Sequence, residues 1–463
     1  MIAIGPVSCA VLLLIAAGWT WRMTDCQSAR RTATAFASLA VAIAVVCLVA
    51  QSMQEPGLGA STLRIAPEGL LGLAPLVTCI AGLTAVALAS VADHPPRTLS
   101  RILLLFAVAL LFLSFDNLVV LFLLWSLSAG IAYTELKSRG DLNGCARLFA
   151  RYHVPSVLLF GFGALALALG WPGLGVVSML LAIGVREAVL PAHSWFPRFV
   201  EQAPMGIVVA FSATQLGVYA KTRLLAENLS AGAGQSLAAI GAATAVTAAA
   251  LGLVQVKPRR ALAYLVISQT GLVAFGLENR SVVAFSGGLL VLSVLALAVS
   301  GFAMTLSALL ARRGDLTLET PGGTFARTPR LAVAFLLLGF STVGFPLTLG
   351  FVAEDLLVQG SVAEFPLLGL SLIVATALNG MTVMRAFFTL FSGSDQHEGE
   401  MDLVPREKAA LSLVMATLLL GGIFPRLVVG LQARSAEGRS ITSQPAQYEL
   451  PERFAPPTQK KAH

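Results

Sequence analysis

Apolar residues in this chain run in continuous blocks, each near the roughly 20 residues a helix needs to cross a bilayer, with short polar turns between them. The blocks predict fourteen transmembrane helices, near 4–21, 33–51, 69–92, 102–115, 117–134, 153–170, 173–195, 206–225, 236–256, 261–277, 282–311, 330–358, 366–392 and 408–430. Two of these carry internal prolines, Pro191 and Pro346, and are predicted to be discontinuous. Three regions follow: N-terminal transmembrane helices over 1–68, a core over 69–430, and a polar, proline-containing tail over 431–463 expected to be disordered.

Composition narrows the class further. The chain has 463 residues, 56% hydrophobic and 12% charged, and its mean hydropathy is +0.81. Soluble domains carry about 25% charged residues, so this is an all-α polytopic membrane protein. The apolar runs do not alternate, which argues against a β-barrel.

The net charge of +7 speaks to topology rather than to nucleic acid. Of the 31 basic residues, 19 fall in the loops after every odd-numbered span, among them Arg97, Arg139, Lys257 and Arg312. The opposite loops hold only Arg64, Lys221, Arg223 and Arg280. That bias puts the odd loops in the cytoplasm and both termini outside, in a cell inner membrane. The first run, Ile4 to Thr20, has no basic residue before it and reads as a transmembrane helix rather than a cleaved signal. The five cysteines lie far apart without CxxC spacing, so no metal or cofactor is expected.

Candidate chemistry sits where polar residues interrupt apolar runs. Arg186 and Glu187 lie deep in one segment, followed by Pro191, His193, Trp195 and Pro197. Intramembrane charges normally face a protein interior or a water-filled path, and broken helices at membrane depth line cavities or lie within protein. Either an ion pathway or a structural Arg–Glu pair stapling two helices fits the residues. Near Pro346, Glu354 and Asp355 stand side by side in apolar surroundings. Adjacent carboxylates in low dielectric repel, and a group poised that way can take up and release protons; both could equally sit in water at the outer interface. Lys257, Arg259 and Arg260 mark the mouth of a helix hairpin, where plain positive-inside anchoring would also place them. Arg385 stands alone and could pair with Glu354 or Asp355, or snorkel to the surface.

In these stretches the chain resembles the antiporter-like proton-translocating subunits of respiratory complex I, of Mrp cation/proton antiporters and of membrane-bound hydrogenases. Pro191, His193, Trp195, Pro197, Ala203 and Pro204 fall in register with the family motif K-S-A-x-x-P-x-H-x-W-L-P…A-P. Arg259-Arg260 and Leu262-Ala263-Tyr264 match its D-x-K-R-x-L-A-Y signature, with Lys257 at the aspartate. Gly350-Phe351 with Glu354 match the G-F-x-x-E/K segment, and Trp125 to Tyr133 resembles W-E…S-Y. The resemblance covers about residues 70–430.

The resemblance implies a proton or cation pathway through Arg186, Glu187, His193, Arg259, Glu354, Asp355 and Arg385, with helix breaks at Pro191, Pro197 and Pro346. It implies partner subunits in a multi-subunit, NADH-quinone oxidoreductase-like complex, with quinone and flavin sites on other polypeptides. The departures are specific. The family glutamate is Ser126 and the intramembrane lysine is Arg186, and 205–220 holds Ser212 and Gln215 but no Lys or His. Phe285–Met304 has no ionisable residue. Glu187 could stand in for the missing glutamate. A non-pumping structural or coupling paralogue therefore competes with a proton-conducting subunit. So does a proton-driven partner in an inorganic-carbon (CO2/bicarbonate) uptake complex.

Overall fold

A computed structural model describes residues 4–52, 72–140, 144–225, 229, 231–279, 281–393 and 402–430. The tail expected over 431–463 lies outside the described residues. Every regular element among the described residues is helical.

The first six helices are α1 (Ile4–Arg22), α2 (Cys26–Ser52), α3 (Ala74–Ala87), α4 (Pro96–Ser114), α5 (Leu118–Ser138) and α6 (Cys145–Ala168). Next come α7 (Pro172–Arg186), the amphipathic α8 (Trp195–Gln202), α9 (Met205–Ser212), α10 (Leu216–Leu224), α11 (Ala231–Leu253) and α12 (Pro258–Glu278). The last group is α13 (Val282–Val294), α14 (Ser300–Arg313), α15 (Pro329–Thr342), α16 (Leu349–Glu364), α17 (Pro366–Phe391) and α18 (Pro405–Ile423). A five-residue π-helical stretch, Leu295–Val299, joins α13 to α14 in one apolar rod.

Proline sets many of the starts. Pro96, Pro172, Pro258, Pro329, Pro366 and Pro405 each open a helix, where the missing N–H has no intrahelical partner to lose. Pro197 behaves the same way: it sits in the first turn of α8 and starts that helix rather than breaking one, because a proline nitrogen is tolerated there. Asn117 opens α5 with its side chain, accepting from the N–H groups of Val119 at 2.9 Å and Val120 at 3.2 Å.

Nine helices among the described residues are long and apolar enough to cross a membrane without interruption. The other expected spans are short or split. The segment expected at 206–225 divides between Ser212 and Leu216, where Gln215 takes a left-handed backbone at φ 43°. Its sequence holds no proline or glycine at the division. The segment expected at 330–358 divides between Thr342 and Leu349, with Gly344 at φ 66° and Leu347 at φ 72°.

α12 and the α13–α14 rod are buried almost throughout, whereas α2, α6 and α17 turn apolar faces outward. Val46, Leu158 and Leu367 are exposed there, as on a surface that lipid covers. Helices approach closely through small residues. A Cβ on Gly163 would lie 2.9 Å from the Gly175 carbonyl oxygen, closing the α6–α7 contact. One on Gly271 would lie 2.5 Å from the Ala245 nitrogen, at the α11–α12 contact. This is the small-residue packing of helices that gain nothing hydrophobic by leaving lipid.

Candidate functional site

α7 ends at Arg186, and its last side chain is buried. The Arg186 guanidinium donates to Ser128 Oγ of α5 at 2.8 Å. It lies over two rings, 3.9 Å from the Phe211 centroid and 5.1 Å from that of Trp125. Cation–π contact and one hydrogen bond hold the charge where a carboxylate was expected. Ser126 lies one position along and donates to its own helix, to the Phe122 carbonyl at 2.8 Å.

Glu187 does not complete an ion pair with Arg186, which was one of the two readings of these residues. Its carboxylate turns to the start of α10 and accepts from the Gly217 N–H at 2.6 Å. A helix N-terminus presents unpaired N–H groups and a positive dipole end, and a carboxylate satisfies both. The close approach requires glycine, since a Cβ on Gly217 would lie 2.5 Å from Glu187 Oε1.

Beyond the break, Pro191 is exposed and follows a cis peptide bond with Leu190. His193 is half-buried, its Nδ1 without a hydrogen-bond partner and its ring 6.5 Å from that of Tyr264. Trp195 is buried and donates from Nε1 to the Val185 carbonyl at 2.9 Å, tying α8 back to α7.

The second group surrounds the break between α15 and α16. Pro346 is exposed in the turn itself. Glu354 reaches back so that its carboxylate packs on Gly344, and Oε1 is buried without a hydrogen-bond partner. Gln269 of α12 and Thr376 of α17 face the same carboxylate. Gln269 donates to the Thr342 carbonyl at 2.7 Å, satisfying the last turn of α15. Asp355 points elsewhere and accepts from Gln359 at 2.6 Å on the exposed side. A helical step of about 100° per residue separates the two carboxylates that sequence alone put together.

The two remaining basic candidates hold backbone carbonyls at helix ends and in a loop. Arg259 donates to the carbonyls of Glu201 at 3.0 Å and Ala203 at 2.7 Å. Lys257 and Arg260 grip the Glu201 carboxylate at 2.5 and 2.7 Å. Burial would raise that carboxyl, but the two cations outweigh it and hold it below its usual range. Arg385 meets neither Glu354 nor Asp355. It donates to the carbonyls of Leu253, Gln255 (3.0 Å) and Leu318 (3.2 Å), closing the C-terminus of α11.

A row of neutral polar residues on α12 links the groups, and sequence reading passed over it. Thr270 accepts from Gln215 Nε2 at 3.2 Å, at the break between α9 and α10. Gln269 holds the break between α15 and α16. Ser268 donates to the Ala245 carbonyl and accepts from Asn379 Nδ2, each at 2.8 Å. Its signal in the sequence is Ser-Gln-Thr within an apolar helix, less conspicuous than the charged residues at the start of the same segment.

His94 was also missed. It is buried in the loop before α4, where Nε2 accepts from the Gly206 N–H at 3.2 Å and Nδ1 lies 3.2 Å from the Ser90 carbonyl. These partners fix the tautomer with the proton on Nδ1. Burial lowers its pKa to about 4.

Comparison with known proteins agrees with this architecture. The transmembrane family of NADH:quinone oxidoreductase and Mrp antiporter subunits matches residues 157–379. NADH-quinone oxidoreductase subunit M of Pseudomonas aeruginosa is 25% identical over 307 residues, which is 63% of this chain and 59% of that protein. A chain of respiratory complex I from Thermus thermophilus superposes with a TM-score of 0.84 at 20% identity, covering 94% of this chain and 99% of its own. A chain of the Mrp complex from Dietzia superposes with a TM-score of 0.82 at 16% identity, covering 96% and 98%. The chain is a multi-pass helical membrane protein that, over residues 157–379, is similar to the transmembrane family of NADH:quinone oxidoreductase and Mrp antiporter subunits and shares the fold of the complex I and Mrp chains.

Proposed function

We propose that this chain is an inner-membrane subunit of a multi-subunit energy-converting complex, and that it conducts protons, or couples their translocation, through intramembrane polar and charged residues. The observation that carries the reading is Glu354. It is an acid at a helix break, with one oxygen buried and unpartnered, and with Gln269 linking it to the end of the neighbouring half-helix. An ionisable residue facing the protein interior within a membrane span marks a functional site by default, and a buried oxygen left unpaired on it calls for such an explanation.

On this reading residues 69–430 form the translocation core, the chain crosses the membrane fourteen times, and both termini lie on the non-cytoplasmic side. The interruptions after Arg186 and Thr342 then correspond to the two expected discontinuous helices, and the division between Ser212 and Leu216 adds a third break. Arg186, Glu187 and His193 belong to the first half of the path, Glu354 to the second. The Arg259 and Arg385 contacts favour structural work for those two, since both side chains are committed to backbone carbonyls near helix ends and in a loop.

One observation supports a second reading, a coupling subunit that moves no protons itself. Between the two breaks the described bridges are amides and hydroxyls, Gln215–Thr270 and Gln269–Thr342. Such groups transmit movement without changing charge. Proton uptake by vesicles containing the whole complex, wild type against Glu354→Gln, separates the two. Loss of uptake in an intact complex supports conduction through this chain. Unchanged uptake leaves it a coupler.

A further inference from the structure

His153 of α6 is buried, and neither ring nitrogen has a hydrogen-bond partner. An imidazole always carries at least one N–H, so this side chain forgoes bonds that nearly every buried polar group makes. Its surroundings are aromatic. The ring stacks on Phe149 at 4.0 Å and meets the edges of Trp195 at 4.5 Å and Phe211 at 5.3 Å. Four helices build the box, since Phe149 shares α6 with His153, Trp195 belongs to α8 and Phe211 to α9, and Arg186 approaches from α7.

Arg186 is the charged group that faces His153 among the described residues. Its guanidinium sits on Phe211, the same ring that His153 meets. The other titratable groups of these helices look away. Tyr152 bonds Ser194 at 2.6 Å, and Glu187 is held by Gly217 at 2.6 Å. A proton placed on His153 would put two cations around one phenyl ring in low dielectric, and like charges there repel strongly. Arg186 has one hydrogen bond to lose, to Ser128, and a carboxylate on the next residue to turn toward.

We propose that His153 is a proton-binding residue of the first half of the pathway, and that its protonation drives Arg186 off Phe211 toward Glu187. The proton adds to the free imidazole nitrogen and is released onward from that nitrogen when Arg186 returns to Phe211, with no bond broken elsewhere. The titratable group then stands on α6, while the charge that responds to it stands on Arg186. This rests on the reading of the chain as a proton-conducting subunit.

The test uses the whole complex in vesicles, with His153→Phe, His153→Gln and Glu354→Gln compared for proton uptake, and Trp195 as an internal reporter. Protonated imidazole in edge contact quenches indole emission, so tryptophan fluorescence of the wild type should fall as pH is lowered. That titration should be missing from His153→Phe and from Trp195→Phe. Uptake should fall at least tenfold in both His153 variants with the complex intact. If Glu354→Gln abolishes uptake while both His153 variants retain it, the pathway stands and the role of His153 is overturned. If all three variants keep full uptake, conduction through this chain itself is wrong. A fluorescence titration that persists in His153→Phe also sinks the proposal, because the proton would then be binding elsewhere.

Discussion

Arg186 and Glu187 are consecutive residues that serve different helices. The guanidinium donates to Ser128 Oγ at 2.8 Å, and the carboxylate accepts from the Gly217 N–H at 2.6 Å. Each charge satisfies a neutral polar group rather than the other charge. In low dielectric this arrangement keeps both available for exchange of partners, which a closed ion pair would resist.

Mutations should separate these contacts. Glu187→Gln keeps an acceptor for Gly217 and should leave assembly yield in detergent within about twofold of wild type. Ser128→Ala removes the acceptor of a charged donor, worth about 1.5–3 kcal/mol, and should lower the thermal midpoint of the complex. A large loss of yield in Glu187→Gln would show that Arg186 depends on that carboxylate after all.

Gln269→Leu is expected to strip the Thr342 carbonyl of its donor and Glu354 of a polar neighbour. Leaving such groups unsatisfied costs about 1–3 kcal/mol. Proton uptake should fall together with thermal stability, and Gln269→Asn should restore neither in full because its amide is one methylene shorter.

His94 gives a pH dependence with a definite sign. Its folded pKa lies near 4, below the unfolded value near 6.5. Between these values the unfolded chain binds more protons, so stability is complete above pH 6.5 and is lost progressively toward pH 4, by up to about 3 kcal/mol. A series of melts from pH 7.5 to 4.5 should show this fall in wild type. His94→Gln should flatten it, because an amide neither titrates nor loses its acceptor on acidification.

At the basic end, Glu201 ties α8 to the start of α12 through Lys257 and Arg260. Those two partners are substantially exposed, so salt should screen them. Glu201→Gln should reduce stability modestly, by about 1 kcal/mol at low ionic strength, with the difference shrinking at high salt. A difference that does not respond to salt would point to the backbone contacts of Arg259 instead.

Gly271→Val should prevent assembly, since the added carbons meet the backbone of α11 at Ala245 and Gly241. Overpacking costs about 1–3 kcal/mol even where side chains can adjust, and backbone cannot adjust as freely. Recovery of a normally assembled complex would mean that α11 and α12 can separate without loss.

What the sequence determined by itself was the membrane class, the helical fold and the family resemblance, because continuous apolar runs and the motif around Pro191, His193 and Trp195 are local signals. Glu354 at a broken segment was legible for the same reason. Tertiary structure alone decided the partners. Arg186 and Glu187 looked like a pair because they are adjacent, yet successive side chains on a helical turn point about 100° apart. Arg385 looked free because its acceptors are backbone carbonyls of Leu253 and Gln255, 130 or more residues away in the chain. The division at Gln215 carries neither proline nor glycine, and the neutral bridges to Thr270 and Thr342 come from helices far apart in sequence. Hydrogen bonds between distant neutral groups leave no pattern in one chain, and they exist only once packing has brought the helices together.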